Sequence, residues 1–404
     1  MPTVVLVGTL DTKGKEYAFL RDRVREHGVD VLLVDTGIMG EPLAQPDVSR
    51  EEVASAAGAD VQALAAAGDR GAAVAAMARG AAEVVRRLYA EGRLDGVLGV
   101  GGSGNSALVC EAMRALPVGV PKLMVSTVAS GDTRPYVGAT DIAMMYSVVD
   151  IAGVNRISAQ IMSNAAGMIA GAVQGSVPGL GAEKPLIGAT MFGVTTPCVT
   201  TARERLEELG YEVLVFHATG TGGQSMEALA KGGFLAGVLD ATTTELADEL
   251  VGGVLSAGPD RLEAAGELGL PQVVSLGALD MVNFGPRESV PEKFESRNLY
   301  VHNPTITLMR TTPEECLELG RQIGRKLSAA TGPVALYVPL KGVSMIAVEG
   351  QVFHDPEADA ALLRGLHETL GPNVEVHELE LDVNDDAFAT AMADRLHGMI
   401  EEAR

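Results

Sequence analysis

The chain has 404 residues, which is more than one hydrophobic core normally organises, so two domains are expected. Its composition, 47% hydrophobic and 21% charged, is ordinary for a folded protein. A formal charge of -22 disfavours nucleic acid and anionic lipid as partners, because both demand clustered Lys and Arg. An anionic ligand must therefore be met locally, by backbone amides, a few cations such as Lys13 and a divalent metal.

The N-terminal residues lead directly into an apolar strand, and no segment has the length and purity of a membrane span. We therefore expect a cytoplasmic protein that binds neither membranes nor nucleic acid. The three cysteines, Cys110, Cys198 and Cys316, lack the CxxC or Cys/His spacing of metal ligands. Cysteines without such spacing are typical of buried thiols in a reducing compartment.

Strands alternate with helices through the first half of the chain. The pattern predicts strands at 3–7, 29–35, 96–100 and 122–126, with helices at 15–27, 72–91 and 106–115. An Ala-rich region, 49–92, predicts two or three helices. The segment 139–173 has few charges, which predicts helices buried on several sides at a domain or subunit contact, and hence a homodimer.

The turn-forming segment 176–185 is the predicted linker, and the alternating pattern restarts after it. Strands are predicted at 186–190, 212–217, 237–240, 272–276, 298–302 and 334–339, and helices at 196–209, 225–231 and 386–402. We therefore predict an α/β fold of two Rossmann-like doubly wound domains with mainly parallel sheets, residues 1–182 and 183–404. Packing of the final helix back on the first domain is one option.

The opening strand runs into a turn that resembles a P-loop without matching it. Five residues separate Gly8 from Gly14, and Glu16 stands where a P-loop has Ser or Thr. The turn nevertheless lies at the carboxyl end of a strand, where open α/β sheets bind ligands. Its candidate ligand-binding residues are Gly8, Thr9, Asp11, Thr12 and Lys13. The alternative is a capped turn with Lys13 in solvent.

A second glycine-rich turn contains Gly99-x-Gly101-x-x-Gly104, the pattern of a dinucleotide fingerprint between a strand and a helix. The next strand ends in Ser126-Thr127 rather than in an acidic residue, so the ribose contact of an NAD site is missing. We predict phosphate or ribose contact by Gly101, Gly102, Ser103, Gly104 and Asn105. The alternative is close packing of the helix on the sheet.

The segment 126–134 is rich in hydroxyl groups and is expected at the same sheet rim. It adds Thr127, Ser130 and Gly131 to the candidate nucleotide contacts. Asp132 is a candidate ligand of Mg²⁺ through water, as is Asp11. The alternative is a structural pair between Asp132 and Arg134 that fixes the loop.

The second half offers three candidate catalytic residues at strand ends: His217, Asp240 and Lys341. His217 precedes a third glycine-rich turn, 219–223, which resembles an anion-binding loop, and Lys341 is expected to reach the same ligand. A histidine at a strand end is as often structural as catalytic. For Thr244-Glu245, which follow Asp240, the alternative is a cap of the helix 245–251, as hydroxyls before a helix commonly provide.

Five segments together are similar to the UPF0261 family of Tm-1-like ATP-binding proteins: 8–14 (GTLDTKG), 34–37 (VDTG), 101–105 (GGSGN), 216–220 (FHATG) and 239–245 (LDATTTE). The resemblance covers essentially the whole chain. It implies two Rossmann-like subdomains, a dimer, and ATP with Mg²⁺ at the rim of the N-terminal subdomain. Longer relatives carry a further C-terminal barrel, which we expect this chain to lack.

The leading hypothesis is a cytoplasmic ATP-binding protein, acting as an ATP- and Mg²⁺-dependent enzyme on a small metabolite in the cleft between domains. Lys13 and the amides of 101–104 offset phosphate charge, and Asp11 or Asp132 positions Mg²⁺. One alternative is a non-catalytic nucleotide-sensing or protein-interaction module. Another is a nucleotide-independent hydrolase or isomerase that uses His217 and Asp240.

Overall fold

The computed structural model describes residues 1–175 and 184–403. Contacts within the chain divide it into two units, Met1–Gly179 and Leu180–Arg404. The predicted linker, 176–185, falls almost entirely outside the described residues.

The first unit alternates strands with helices, as predicted. Its described strands are β1 (Thr3–Gly8), β2 (Asp30–Asp35), β3 (Gly96–Gly101), β4 (Lys122–Ser126) and β5 (Ala143–Tyr146). Its described helices are α1 (Leu10–Glu26), α2 (Arg50–Ala56), α3 (Val61–Ala67), α4 (Arg70–Ala90), α5 (Ser103–Arg114), α6 (Arg134–Val137) and α7 (Arg156–Gln174). The Ala-rich region thus forms three helices, α2 to α4.

The five strands form one parallel sheet in the order β2-β1-β3-β4-β5. Alternate residues of β1 point to opposite faces: Val4 and Leu6 pack with α1 and α7, whereas Val5 and Val7 pack with α2, α4 and α5. A strand covered on both faces reads as a continuous apolar run. The strand order reverses between β1 and β3, so the doubly wound prediction for this unit is confirmed.

The helices after the two glycine-rich turns of the first unit begin earlier than the hydrophobic period indicated. Helix α1 starts at Leu10 rather than 15, and α5 starts at Ser103 rather than 106. Thr9 and Gly102 have extended backbone and occupy the N-cap positions of these helices, directly after β1 and β3. Asp11, Thr12 and Lys13 therefore lie on the first turn of α1, not in a loop.

The expectation of helices throughout 139–173 is wrong for its first part. Ala143–Tyr146 is strand β5, paired in parallel with β4. The helical part, α7, buries Met162 and Ile169 against β1, β3 and β4 of its own unit. One face of α7 therefore packs on the sheet of its own unit, whereas Ile157 and Met168 on the same helix are exposed.

The second unit contains a larger parallel sheet. Its described strands are β6 (Leu186–Met191), β7 (Glu212–His217), β8 (Leu235–Thr242), β9 (Gln272–Gly277), β10 (Met281–Phe284), β11 (Leu299–Asn303), β12 (Ile306–Arg310), β13 (Val334–Pro339) and β14 (Val374–Leu379). Its described helices are α8 (Thr196–Glu208), α9 (Thr221–Lys231), α10 (Glu245–Val251), α11 (Ala264–Glu267), α12 (Pro313–Ser328), α13 (Pro356–Thr369) and α14 (Asp386–Glu402).

Six of these strands form a parallel sheet in the order β14-β13-β9-β8-β6-β7, which reverses between β6 and β8. The segment 298–302 is predicted to join this sheet, and that prediction is wrong. Strand β11 instead belongs to a separate antiparallel sheet, β10-β12-β11. Short strands joined by tight turns pair in this way without a crossover helix.

The last helix, α14, contacts α8 and β8 within the second unit. Its buried face includes Phe388, Leu396 and Ile400. A Cβ added at Gly237 would lie 2.9 Å from the Cδ1 atom of Ile400, so the small residue in β8 makes room for the helix. Across residues 1–175 and 184–403, the helices are too short or too polar to span a lipid bilayer.

Candidate functional site

A cleft of about 630 Å³ lies at the carboxyl end of the first sheet. Strands β1 and β3 are neighbours, so the turns that follow them meet at one rim. The cleft is lined by residues of both predicted turns, Thr9, Asp11, Thr12, Lys13, Gly102, Ser103, Gly104 and Asn105. The structure therefore brings the two glycine-rich turns of the first unit into one site.

One wall of the cleft is apolar. It consists of Ile38 after β2, Leu64 of α3, Val74 and Met77 of α4 and Leu108 of α5. Helices α3 and α4 belong to the Ala-rich region, to which the sequence assigned no ligand contact. Sites for small organic ligands typically combine such a wall with a few placed polar groups.

The N-cap residues of the two helices at the polar side of the cleft provide no side-chain cap. Thr9 at the start of α1 accepts no backbone amide through its side chain, and Gly102 at the start of α5 has no side chain to accept one. The first amides of α5 consequently have no intrahelical or capping partner, whereas the Leu10 amide of α1 donates to Asp35 Oδ1 at 3.0 Å. The start of α5 in particular attracts an anion.

Tyr17 fixes the backbone where β1 and β3 separate. Its buried hydroxyl donates to the Val7 carbonyl at 2.5 Å and accepts from the Val100 amide at 3.0 Å. Burial raises the pKa of Tyr17, so the hydroxyl stays protonated. A Cβ added at Gly8 would lie 2.1 Å from this oxygen. Gly8 therefore makes room for Tyr17 and does not line the cleft among the described residues.

Three oxygens of cleft-lining side chains are buried and have no hydrogen-bond partner: Asp11 Oδ1, Thr36 Oγ1 and Asn105 Oδ1. The other polar atoms of Asn105 and Asp11 are engaged. Asn105 Nδ2 donates to Tyr17 at 3.1 Å and to the Val100 carbonyl at 2.8 Å. Asp11 Oδ2 accepts from the amides of Met39 at 2.9 Å and Gly40 at 3.3 Å.

Buried acceptors without donors are costly unless a ligand, an ion or water satisfies them. Thr36 is only 2% exposed, so its hydroxyl has little access to solvent. Asp35 directly precedes Thr36, and its Oδ2 atom is also buried without a hydrogen-bond partner. Burial raises the pKa of Asp35, and the nearby charge of Asp11 adds to that rise. These oxygens suit a cation or the hydroxyl groups of a ligand.

Two cations reach the cleft. Lys13 donates through Nζ to the carbonyl of Ile151, in the loop before α7. The second cation is Arg70, the first residue of α4, which sequence reasoning missed. Nothing in the local sequence marks Arg70, because Gly104 of α5, which its guanidinium approaches, is 34 residues away in the chain (104 minus 70).

The remaining candidates of the first unit lie elsewhere. Among the described residues that line the cleft, Gly101, Thr127, Ser130, Gly131 and Asp132 are not found. Asp132 and Arg134 are exposed and paired, with Oδ2 to Nη2 at 2.9 Å, which is the structural alternative considered for them. Thr127 is close to one cleft residue, since a Cβ added at Gly102 would lie 3.6 Å from the Thr127 hydroxyl.

The third glycine-rich turn already holds an anion, the carboxylate of Glu245. Its Oε1 accepts from the amides of Gly220 at 2.7 Å and Gly223 at 3.0 Å. A Cβ added at Gly223 would lie 2.1 Å from Oε2 of the same carboxylate. The turn thus binds an anion as its sequence predicts, but the anion belongs to the chain. Glu245 does not cap its own helix through its side chain.

Asp240 takes part in the same buried network. Its carboxylate accepts from Arg261 Nη2 at 2.7 Å and from the Thr190 hydroxyl at 2.7 Å. Arg261 also donates to Glu245 at 2.7 Å and lies 3.5 Å from Glu227, whose pKa is raised by burial. Asp240 Oδ1 accepts the bonds from Arg261 Nη2 and Thr190, and Oδ2 accepts from Arg261 Nη1, so both oxygens have partners, and the residue is 1% exposed.

The other two catalytic candidates are far apart. His217 is exposed at the end of edge strand β7, with its ring centroid 5.4 Å from that of Phe192. Lys341 follows β13, four strand positions away in the sheet, which corresponds to about 19 Å. It lines a separate pocket of about 580 Å³ with His354 and Asp359. The structure does not bring His217 and Lys341 to a common ligand.

Among residues 1–175 and 184–403, no group of three or more His, Cys, Asp or Glu side chains is arranged to hold a metal ion. The three cysteines are buried as free thiols, as predicted. Burial raises the pKa of Cys110 to about 11 and that of Cys198 to about 12. These thiols carry no role in the site.

Two family models match the chain: residues 2–178 match the N-terminal domain, and residues 184–400 the C-terminal domain, of the uncharacterised protein family UPF0261. A UPF0261 protein of Clostridium tetani is 54% identical over 99% of both chains. The ToMV resistance protein Tm-1 of Solanum lycopersicum is 42% identical over 97% of this chain and 55% of its own length.

A solved structure, the UDP-N-acetylglucosamine 2-epimerase of Rickettsia bellii, is similar over 68% of this chain and 78% of its own. It is 12% identical, with a TM-score of 0.24. A likeness of that degree carries no argument about activity.

Proposed function

This chain belongs to the UPF0261 family, and we propose that its first unit binds ATP, with Mg²⁺, in the cleft between α1 and α5. The observation that carries the proposal is the meeting of the uncapped start of α5 with the start of α1 and Lys13 in one cleft with an apolar wall. Such a site offers donors and positive charge to phosphates, and the wall offers a surface for the base.

The overall charge of -22 does not oppose this proposal. Backbone amides carry no net charge, so they bind an anion without a basic surface. The first unit places such amides at the start of α5, where the side chains are short. The added positive charge comes from Lys13 and Arg70.

The residues of the cleft also fit a magnesium ion. Mg²⁺ prefers oxygen ligands and is typically held by one or two carboxylates together with phosphate and water. Asp11 Oδ1 and Asn105 Oδ1 are oxygens without partners in the cleft, whereas Asp132 is paired with Arg134. Asp11 is therefore the carboxylate that we propose for Mg²⁺. The ion would neutralise phosphate charge beside it.

Bound ATP has two candidate roles in this protein. In one, the protein is an ATP-dependent enzyme acting on a small metabolite; in the other, it is a nucleotide-sensing module. Steady-state release of phosphate from Mg·ATP, measured with candidate metabolites, separates the two roles. In either role ATP stabilises the folded protein through mass action, so ATP is expected to raise Tm.

The direct test is a calorimetric titration of Mg·ATP into the full chain. Lys13→Ala is expected to weaken binding by about 10-fold or more, since a hydrogen bond to a charged group contributes about 1.5–3 kcal/mol. Lys15→Ala is the matched control, because Lys15 is exposed on the same helix and outside the cleft. Absence of binding by the wild type, or equal affinity of Lys13→Ala and Lys15→Ala, would contradict the proposal.

A further inference from the structure

We propose that Arg70 is a phosphate-binding residue of this site, and that its guanidinium closes the anion site at the start of α5. The inference rests on the proposed function. It adds a contact from α4, a helix outside both glycine-rich turns, and so makes the Ala-rich region part of the ligand site.

The position of Arg70 is the first argument. A Cβ added at Gly104 would lie 3.6 Å from Arg70 Nη2, so the guanidinium is next to the first turn of α5. Arg70 lines the cleft together with Ser103 and Gly104. The uncapped amides of α5 and the donors of the guanidinium therefore border the same space.

The electrostatics of this position favour an anion between these groups. A helix N-terminus carries partial positive charge, and a cation beside it is unfavourable unless a negative group intervenes. Arg70 is the first residue of α4 and also adjoins the start of α5. Asp69 is the acidic residue nearest to Arg70 in sequence. Its Oδ1 accepts from the Ala72 amide at 3.0 Å, so this carboxylate caps α4.

The guanidinium of Arg70 is free to bind a ligand. Over the part of the chain that the structure describes, it makes no ion pair and no hydrogen bond, whereas Arg50, Arg86 and Arg87 in the same unit are all paired. A guanidinium presents five donors in a planar fork that matches two phosphate oxygens. A phosphoryl group at the start of α5 would thus satisfy amides and guanidinium together.

An independent observation supports a ligand site in this cleft. The Thr36 hydroxyl is buried, lines the cleft and has no partner. Thr36 follows β2, on the side of the cleft where Lys13 and α1 lie, whereas Arg70 belongs to α4. The two cations therefore come from different elements, and a polyphosphate between α1 and α5 meets both of them.

The test compares binding of ATP by the wild type, Arg70→Ala and Arg70→Lys, measured by calorimetry on the full chain with Mg²⁺. Arg70→Ala is expected to weaken binding at least 10-fold. Arg70→Lys is expected to restore part of that loss, because it keeps the charge without the planar fork. The control is Arg79→Ala, an exposed arginine of the same helix outside the cleft.

The outcomes separate this inference from the proposal beneath it. If the wild type does not bind ATP, both fail. If the wild type binds and Lys13→Ala weakens binding, but Arg70→Ala matches Arg79→Ala, only the role of Arg70 is overturned. A circular dichroism spectrum identical to that of the wild type shows that Arg70→Ala is folded, as expected for an exposed side chain that makes no hydrogen bond or ion pair with the described residues.

Discussion

Glu245 Oε2 lies 2.7 Å from Arg261 Nε, and both side chains are fully buried. Around this pair, Arg261 also meets Asp240, and Glu245 also meets the amides of the glycine-rich turn before α9. Removing one partner of a buried pair leaves an uncompensated charge and is strongly destabilising. The network therefore anchors the turn to the sheet of the second unit.

Gly223→Ala is expected to destabilise the second unit by several kcal/mol. The new methyl group would overlap the Glu245 carboxylate and lie 2.6 Å from Arg261 Nε, so the buried pair would have to separate. Urea unfolding followed by circular dichroism measures the change. Gly398→Ala in α14 is the control, because its added methyl group meets only the flexible end of Arg395, at 3.4 Å. Equal stability of the two variants would contradict the account of the turn.

A pH-dependent contribution to stability is expected from Asp280. Burial raises its pKa from 3.8 to about 6, although nearby Arg310 and the Ser344 hydroxyl oppose that rise. The folded state then holds this proton more tightly than the unfolded state. The contribution of Asp280 to stability therefore falls as the pH rises from about 4 to about 6 and is constant above that interval.

Asp280→Asn removes this titration while keeping an oxygen for Ser344. The difference in free energy of unfolding between variant and wild type is expected to move in favour of the variant from pH 4 to pH 6. A pKa difference of this size corresponds to a change of order 3 kcal/mol. Urea unfolding at several pH values measures it by circular dichroism, since the chain has no Trp. A difference that does not vary with pH would contradict the burial argument.

Asp11 and Asp132 are distinguished by the magnesium dependence of ATP affinity. Asp11→Asn keeps an oxygen for the amides of Met39 and Gly40 but removes the charge from the cleft. We expect this variant to lose most of the gain in affinity that Mg²⁺ gives the wild type. Calorimetry with Mg²⁺ and with a chelator measures that gain.

Asp132→Asn serves as the comparison in the same experiment. Its carboxylate is exposed and engaged by Arg134, so its removal is expected to leave the magnesium effect intact. If Asp132→Asn abolished the effect and Asp11→Asn retained it, the metal would be held at the other loop.

The sequence predicted the parts of the fold that depend on short-range patterns. Apolar runs such as 4–7 are typical of parallel strands covered on both faces, and β1 lies where it was expected. The strand Ala143–Tyr146 was missed because its Ala and Met residues suit helices equally well. Strand β11 was found, but its antiparallel partners depend on tertiary pairing that local pattern does not specify.

The candidate site was predicted where it depends on glycine-rich turns after strands, and missed where it depends on distant residues. Turn residues of β1 and β3 were expected at one rim because parallel neighbours end together. Arg70 and Tyr17 reach the rim from helices, and no local pattern marks them. The turn before α9 looks equally anion-binding in sequence, but only the fold shows that Glu245 occupies it.

The central claim is that ATP binds at the two turns of the first unit, and hydrogen–deuterium exchange of the full chain with and without Mg·ATP tests it most directly. We expect slower exchange in peptides that cover 9–13 and 102–105, because the amides at the start of α5 gain phosphate partners and bound ATP orders the neighbouring start of α1. Saturating ATP that leaves those peptides unchanged, or that slows exchange only around 219–223, would contradict it.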